Sequence, residues 1–141
     1  MAEEFTEYIC FKVGAAARKI QRYYNSRLSE HGITIGQSFI LLSLNERDGQ
    51  NVKELAEKLA IDSSAITGLV DRLEKEDLVE RRADERDRRA LRIHLTEKGV
   101  KLVSVMETQA DQFNDGMKEG LSKSDLAALT KFFRLVDEIE V

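Results

Sequence analysis

Between Ile61 and Leu95 the hydrophobic period of the chain changes once, from 3.6 residues to 2, and few small folds accept that succession. Ile66, Leu69, Val70 and Leu73 recur at i, i+3, i+4 and i+7 with Ala65 alongside, one apolar face of a helix. After Glu76 the alternation is that of strands. Leu78 and Val79 open a short one, and Leu91, Ile93 and Leu95 alternate with Arg92 and His94 in a second. The pattern predicts a helix followed by a two-stranded wing.

The helix has a second, polar stripe: Ser64, Thr67, Gly68, Asp71, Arg72 and Lys75 fall at i, i+3, i+4, i+7, i+8 and i+11. Small side chains lead and long charged ones trail. A recognition helix reaches base edges with its N-terminal residues, where short side chains admit the groove and backbone N–H groups can meet phosphates. Alone, the stripe is equally what any solvated helix face shows. The wing changes the balance. Between its strands lies RRADERDRR, and Arg81, Arg82, Arg86, Arg88, Arg89 and Arg92 face only Asp84, Glu85 and Asp87, a local charge of +3 in a chain whose total is -4. An aspartate beside arginines can hold such a loop in shape and leave other guanidiniums free for phosphate or a narrow minor groove. Asp87 is expected to orient Arg89, with Arg86 or Arg88 at the tip.

The 141 residues suit one domain, or one domain with an oligomerisation element. The absence of proline and the 34% charged fraction favour long surface helices. One cysteine, Cys10, excludes an internal disulfide framework and fits a reducing, cytoplasmic setting. No secretory leader and no apolar run of about 18 residues is present, so no membrane role is expected. The acidic balance argues against a nonspecific nucleic-acid coat, yet a sequence reader can be acidic overall if its cations gather on one surface.

Taken in order, Glu4 to Leu28 reads as one long helix stopped at His31-Gly32, glycine suiting the left-handed C-terminal conformation. Thr34 and Gln37 are spaced as a capping box for a short apolar helix containing Phe39, Ile40, Leu42 and Leu44. Asn51 and Glu54 repeat the arrangement for a third helix with Val52, Leu55, Ala56 and Leu59 inside, and Asp62 is the expected N-cap of the striped helix. Two short helices joined by the Ala60-Ile61-Asp62 turn are a helix-turn-helix. Beyond the wing, Thr96 caps a helix carrying Val100, Val103, Met106, Ala110, Phe113 and Met117. Ser122 and Asp125 start another with Leu126, Leu129, Phe132, Phe133, Val136 and Ile139. The terminal helices present more apolar stripe than a small winged helix can cover, which predicts a homodimer. The expected organisation is therefore mainly α with a small β-wing: a winged helix-turn-helix at 34–95, and a helical dimerisation region from 1–33 and 96–141.

LAIDSSAITGLVDRLEKEDLVERRADERDRRALRIHLTEKG resembles the core signature of the MarR family (multiple antibiotic resistance regulators), and the likeness extends over nearly all of the chain. The resemblance implies a homodimeric cytoplasmic transcriptional regulator. It would be a repressor that binds a near-palindromic double-stranded DNA operator and releases it on binding a small aromatic or anionic effector, with no cofactor and no metal. By position it assigns DNA contacts to Ser63, Ser64, Thr67, Asp71 and Arg72 and wing contacts to Arg86, Arg88 or Arg89; Gly68, Lys75 and Asp87 lie on the same two elements. Thr67 and Arg81 fall where some members hold a salicylate-type carboxylate, and Arg18, Tyr24 and Phe39 would complete a cleft lining. Gly68 departs from the family pattern, in which Arg or Pro is common there. It either permits close approach to DNA or removes one base contact.

The first helix also resembles that of the OhrR branch, which senses organic hydroperoxides through a cysteine placed as Cys10 is. Tyr24 matches one of that branch's tyrosines, but Ile35 and Gly14 stand where others should be. A lone cysteine on an apolar helical face is more often a buried small hydrophobe. An enzyme is excluded on inventory: His31 and His94 are the only histidines, and no metal-ligand cluster, nucleophile elbow or glycine-rich phosphate loop occurs. The rival from another class is a winged-helix module that binds protein and no DNA.

Overall fold

The computed structural model describes residues 2–141. Six helices and one hairpin follow in the order α1 (Ile9–Leu28), α2 (Ile35–Glu46), α3 (Val52–Leu59), α4 (Ser63–Lys75), β1 (Val79–Ala83), β2 (Leu91–Leu95), α5 (Glu97–Glu119) and α6 (Lys123–Asp137), with 3-10 turns at Phe5–Glu7 and Ser29–His31. The fold is mainly α with a small wing, as the periodicities require. The chain divides into two compact units, one ending at Met106 and one spanning Glu107–Val141.

The core of the first unit draws on every element around the wing. Ile40, Leu41 and Leu44 of α2, Leu55 of α3, Ile66, Val70 and Leu73 of α4, Ile93 of β2 and Val103 of α5 are all buried. Each such side chain contributes about 1.5–3 kcal/mol by leaving water. Ala65 and Leu69, by contrast, lie at the edge of the apolar face, Ala65 exposed and Leu69 half-buried.

The termini of the helices are set by local chemistry. Thr34 Oγ1 accepts the Gln37 N–H while the Gln37 side chain takes the Thr34 N–H, a complete capping box. Gly32 stops the first helical region at φ 72°. Thr96 Oγ1 accepts the Gly99 N–H at 3.0 Å and donates to Asp77 O at 2.7 Å, pinning the start of α5 under the hairpin. Gly99 has to be glycine there: a Cβ would stand 2.2 Å from the Leu78 carbonyl oxygen.

The hairpin is antiparallel, with Val79 opposite Leu95, Arg81 opposite Ile93 and Ala83 opposite Leu91. A third short segment completes it. Gly49 N–H donates to Ile93 O at 3.0 Å and Ile93 N–H to Gln50 O at 2.9 Å, so the α2–α3 connection pairs with the free edge of β2. Gln50 is buried and donates to Ser43 O, Ser43 Oγ and Arg47 O, which ties that segment to the end of α2.

Several expectations need correcting. The first helix is not continuous from Glu4: Tyr8 is extended at φ -63°, ψ 139°, and the helix starts at Ile9. The break turns Phe5 onto Phe11, edge to face with centroids 5.4 Å apart, a contact that residues six apart on a straight helix cannot make. Asp62 stands at the N-cap of α4, but its side chain makes no capping bond. Asn51 caps Glu54 N–H at 2.8 Å without the reciprocal bond, because the Glu54 carboxylate goes to Arg47 and Arg92 instead. Leu78 does not open the strand; its N–H closes the end of α4 on Leu73 O at 2.9 Å. Phe39 is 43% exposed while its neighbour Leu41 takes the core position. Cys10 is exposed rather than a buried hydrophobe.

In the second unit, a turn at Gly120 (N–H to Met117 O, 3.2 Å) leads into α6, started by a complete capping box of Ser122 and Asp125. No residue of α6 is buried.

Candidate nucleic-acid interface

Ser63, Ser64, Thr67, Gly68, Asp71, Arg72 and Lys75 are all exposed, so the polar stripe of α4 exists as read. The helix is held by its opposite face, through Ile66, Val70 and Leu73, which fixes the stripe outward. Thr67 Oγ1 donates to Ser63 O at 3.0 Å. A Cβ built on Gly68 would meet nothing within 4 Å, so this glycine answers no packing demand within the chain. The turn before α4 passes through Ala60 at φ 52°, a left-handed residue that closes α3 with its N–H on Ala56 O.

The arginines of the wing divide into two sets. Those on the strands are paired: Arg81 with Asp71 and Glu74 of α4, Arg82 with Glu80, and Arg92 with Asp84 at 2.7 Å. Those in the loop are not. Among the described residues the side chains of Arg86 and Arg88 hold no ion pair, and Arg89, 99% exposed, reaches only 3.9 Å from Asp87. On α4, Arg72 and Lys75 are likewise unpaired among the described residues. Pairing thus fixes the base of the wing and leaves its tip cationic.

Asp84, which sequence reasoning did not single out, organises that loop. Its Oδ1 accepts the Arg86 N–H at 2.8 Å and its Oδ2 the Arg92 Nε–H, while Asp84 N–H donates to Ala90 O. The bond from the Arg86 N–H, then that from Arg92, holds the Asp84 carboxyl below the ordinary aspartate range. Asp87 repeats the motif on the Arg89 N–H at 3.1 Å, so it orients the backbone of Arg89 more than its guanidinium. Both are aspartates accepting from the residue two positions on, a spacing visible in the sequence as D-E-R and D-R-R. Arg92 also donates to Gly49 O at 2.9 Å, and Asp48 receives Leu95 N–H and His94 Nδ1, at 2.9 and 3.0 Å. These long-range bonds join the wing to the α2–α3 connection; no local pattern announces them.

The residues expected to line an effector cleft are less assembled. Arg81 has its guanidinium engaged by two carboxylates. Arg18 is exposed and curls back over Gly14, and Phe39 is exposed. Tyr24 is partly buried, which raises its hydroxyl above the usual tyrosine range, with Tyr23 beside it adding to the shift. A polar hollow of about 390 Å³ is lined instead by Arg82, Ala83, Asp84, Glu85, Arg86, Arg92 and His94. Among the described residues no cluster of His, Cys, Asp and Glu could hold a metal ion, and no helix is long and apolar enough to cross a membrane.

A buried-backed helix carrying a polar stripe, reached through a tight turn and followed by a wing, defines a winged helix-turn-helix. A MarR family model matches residues 33–91. The transcriptional regulator SarZ of Staphylococcus aureus is 32% identical over 111 residues, 78% of this chain and 75% of SarZ. The chain belongs to the MarR family. The transcriptional regulator TtmR of Methylorubrum extorquens is 41% identical over 99 residues, 70% of this chain but 51% of TtmR, so the chain spans about half of that relative. The solved structure of Bordetella bronchiseptica BpsR, whose DNA binding is regulated by 6-hydroxynicotinic acid, superimposes with a TM-score of 0.87 at 21% identity over 99% of this chain and 100% of that one, a likeness of fold. These relatives are regulators, not enzymes.

Proposed function

We propose that the chain is a homodimeric transcriptional regulator, a repressor that reads a near-palindromic operator with two copies of α4 and its wing and is released by a small aromatic or anionic effector. The observation that carries the reading is a local cluster of charge: in a chain of net charge -4, Arg72 and Lys75 on the exposed stripe of α4 and Arg86, Arg88 and Arg89 at the wing tip put five exposed cations on the two elements that follow the helix-turn-helix turn. Ser63, Ser64, Thr67 and Gly68 then meet base edges and backbone, Asp71 lies on the same face in its ion pair with Arg81, and Asp87 shapes the tip. The uncapped first turn of α4 leaves N–H groups for a phosphate.

Residues 34–95 form the reading domain, and residues 1–33 and 96–141 the dimerisation region. Support for the second copy is the apolar surface of the terminal helices: Ile9 is 68% exposed and Phe133 55%. Half-sites in adjacent major grooves lie roughly 34–36 Å apart. An effector held near Arg18, Tyr24, Phe39, Thr67 and Arg81 would act by altering the spacing of the two α4 helices, a coupling typically of about 1–3 kcal/mol. SarZ and TtmR, both named as regulators, support the class of activity.

Competition binding between a duplex selected by the chain and random duplex, at two salt concentrations, tests the reading. The selected site should win, and affinity should fall steeply with salt. Weak, equal binding to every duplex would favour a protein-binding module. The exposure of Cys10 keeps one further reading in play, a thiol that answers peroxide; Cys10→Ser with an unaltered peroxide response would end it.

A further inference from the structure

Two carboxylates stand on α4 where nucleic acid would repel them. Asp71 and Glu74 are 62% and 43% exposed at the side chain, and on the helix they cancel Arg72 and Lys75. Duplex DNA carries one negative charge per roughly 1.7 Å of axis. A balanced helix would gain little from approaching it.

Arg81 alters that balance. Its Nη2 lies 2.5 Å from Asp71 Oδ1, its Nη1 2.9 Å from Glu74 Oε1, and its own N–H donates to Glu74 Oε2 at 3.0 Å. Strand pairing with Ile93 fixes the residue in β1, and its side chain is only 19% exposed, against 99% for Arg89 at the tip. Its donors already face carboxylates and its head is sunk between two elements, a poor position for touching a phosphate. We propose that Arg81 is a positioning residue of the DNA interface: shared between Asp71 and Glu74, its one positive charge offsets half of theirs, brings α4 from net zero to +1, and does so without contacting nucleic acid. The inference rests on the DNA-reading function above. It assigns Asp71 to the interface as one half of an ion pair.

The test uses the full chain and a duplex of about 30 base pairs recovered by the unaltered chain from a random pool. Arg81→Gln should weaken binding roughly tenfold, since it exposes two carboxylates to phosphates. Adding Asp71→Asn and Glu74→Gln should recover most of that loss. The clamp as a mechanical brace is missing in both variants, so recovery reports charge and excludes a merely structural role. The dependence of log K on log salt should keep its slope in Arg81→Gln. A slope smaller by about one would mean a lost phosphate contact and would overturn the proposal, as would a triple variant no better than the single one or Arg81→Gln binding as tightly as the unaltered chain. Failure of the unaltered chain to select any duplex would overturn the DNA reading itself, and the proposal with it.

Discussion

Helices α4 and α6 carry the same kind of amphipathic pattern and have opposite fates. In α4 the apolar face is spent within the chain: Ile66, Val70 and Leu73 are fully buried among α2, α3 and the hairpin. In α6 no residue is buried, and Leu129, Phe133 and Val136 stay 42%, 55% and 43% exposed. Local capping does not account for this, since α6 starts with a complete capping box and the buried α4 has no side-chain cap. The difference therefore lies in partners, and it teaches that an apolar stripe specifies burial without saying whose surface provides it. For α4 the provider is its own chain, which leaves the polar stripe as the helix's working face. For α6 the stripe stays exposed, and the proposed function gives it a second copy of the chain as its partner.

Substitutions at matching positions of the two helices should have opposite consequences for folding and for self-association. The largest effect on folding is expected from Leu73→Ala, a loss of about 2–5 kcal/mol measured by denaturant unfolding, with DNA binding lost only as the chain unfolds. Phe133→Asp should do the reverse: the charge placed on the apolar stripe should weaken self-association at least about a hundredfold in sedimentation equilibrium, while the far-ultraviolet circular dichroism of the chain is retained. If Phe133→Asp unfolded the chain and left association intact, α6 would be a core element like α4.

The smallest effect should come from pH. Asp84 and Asp125 have folded-state values below the ordinary range, chiefly through backbone N–H bonds from Arg86 and Ser122. Their contributions are complete above the unfolded aspartate value near about 4 and disappear as pH falls through the lower folded values. Thermal midpoints should thus be flat through neutral pH and drop below about pH 4, and Asp84→Asn should reduce that drop.

How far the sequence could be read follows the same division. The recognition helix, the wing and three N-terminal caps were legible because each rests on spacing within a few residues: Thr34 with Gln37, Ser122 with Asp125, Thr96 with Gly99. The third edge of the wing was not, since Gly49 and Gln50 pair with Ile93 more than forty residues on, without a strand-like pattern of their own. Nor was the sorting of the arginines. Arg81 and Arg89 are alike in the sequence, and only folding brings Asp71 and Glu74 beside one of them. The continuous first helix was misjudged because an apolar periodicity through Phe5 and Tyr8 continues across a backbone break that carries no proline or glycine to mark it.

On the proposed function, two copies of one charged, buried-backed helix read DNA together. The mass of the complex formed by the unaltered chain on its selected duplex, measured by light scattering across protein concentration, tests it most directly. Two chains per duplex are expected, and Phe133→Asp should require far higher concentrations to reach the same mass. A single chain bound to the duplex at the full affinity of the unaltered protein would contradict it.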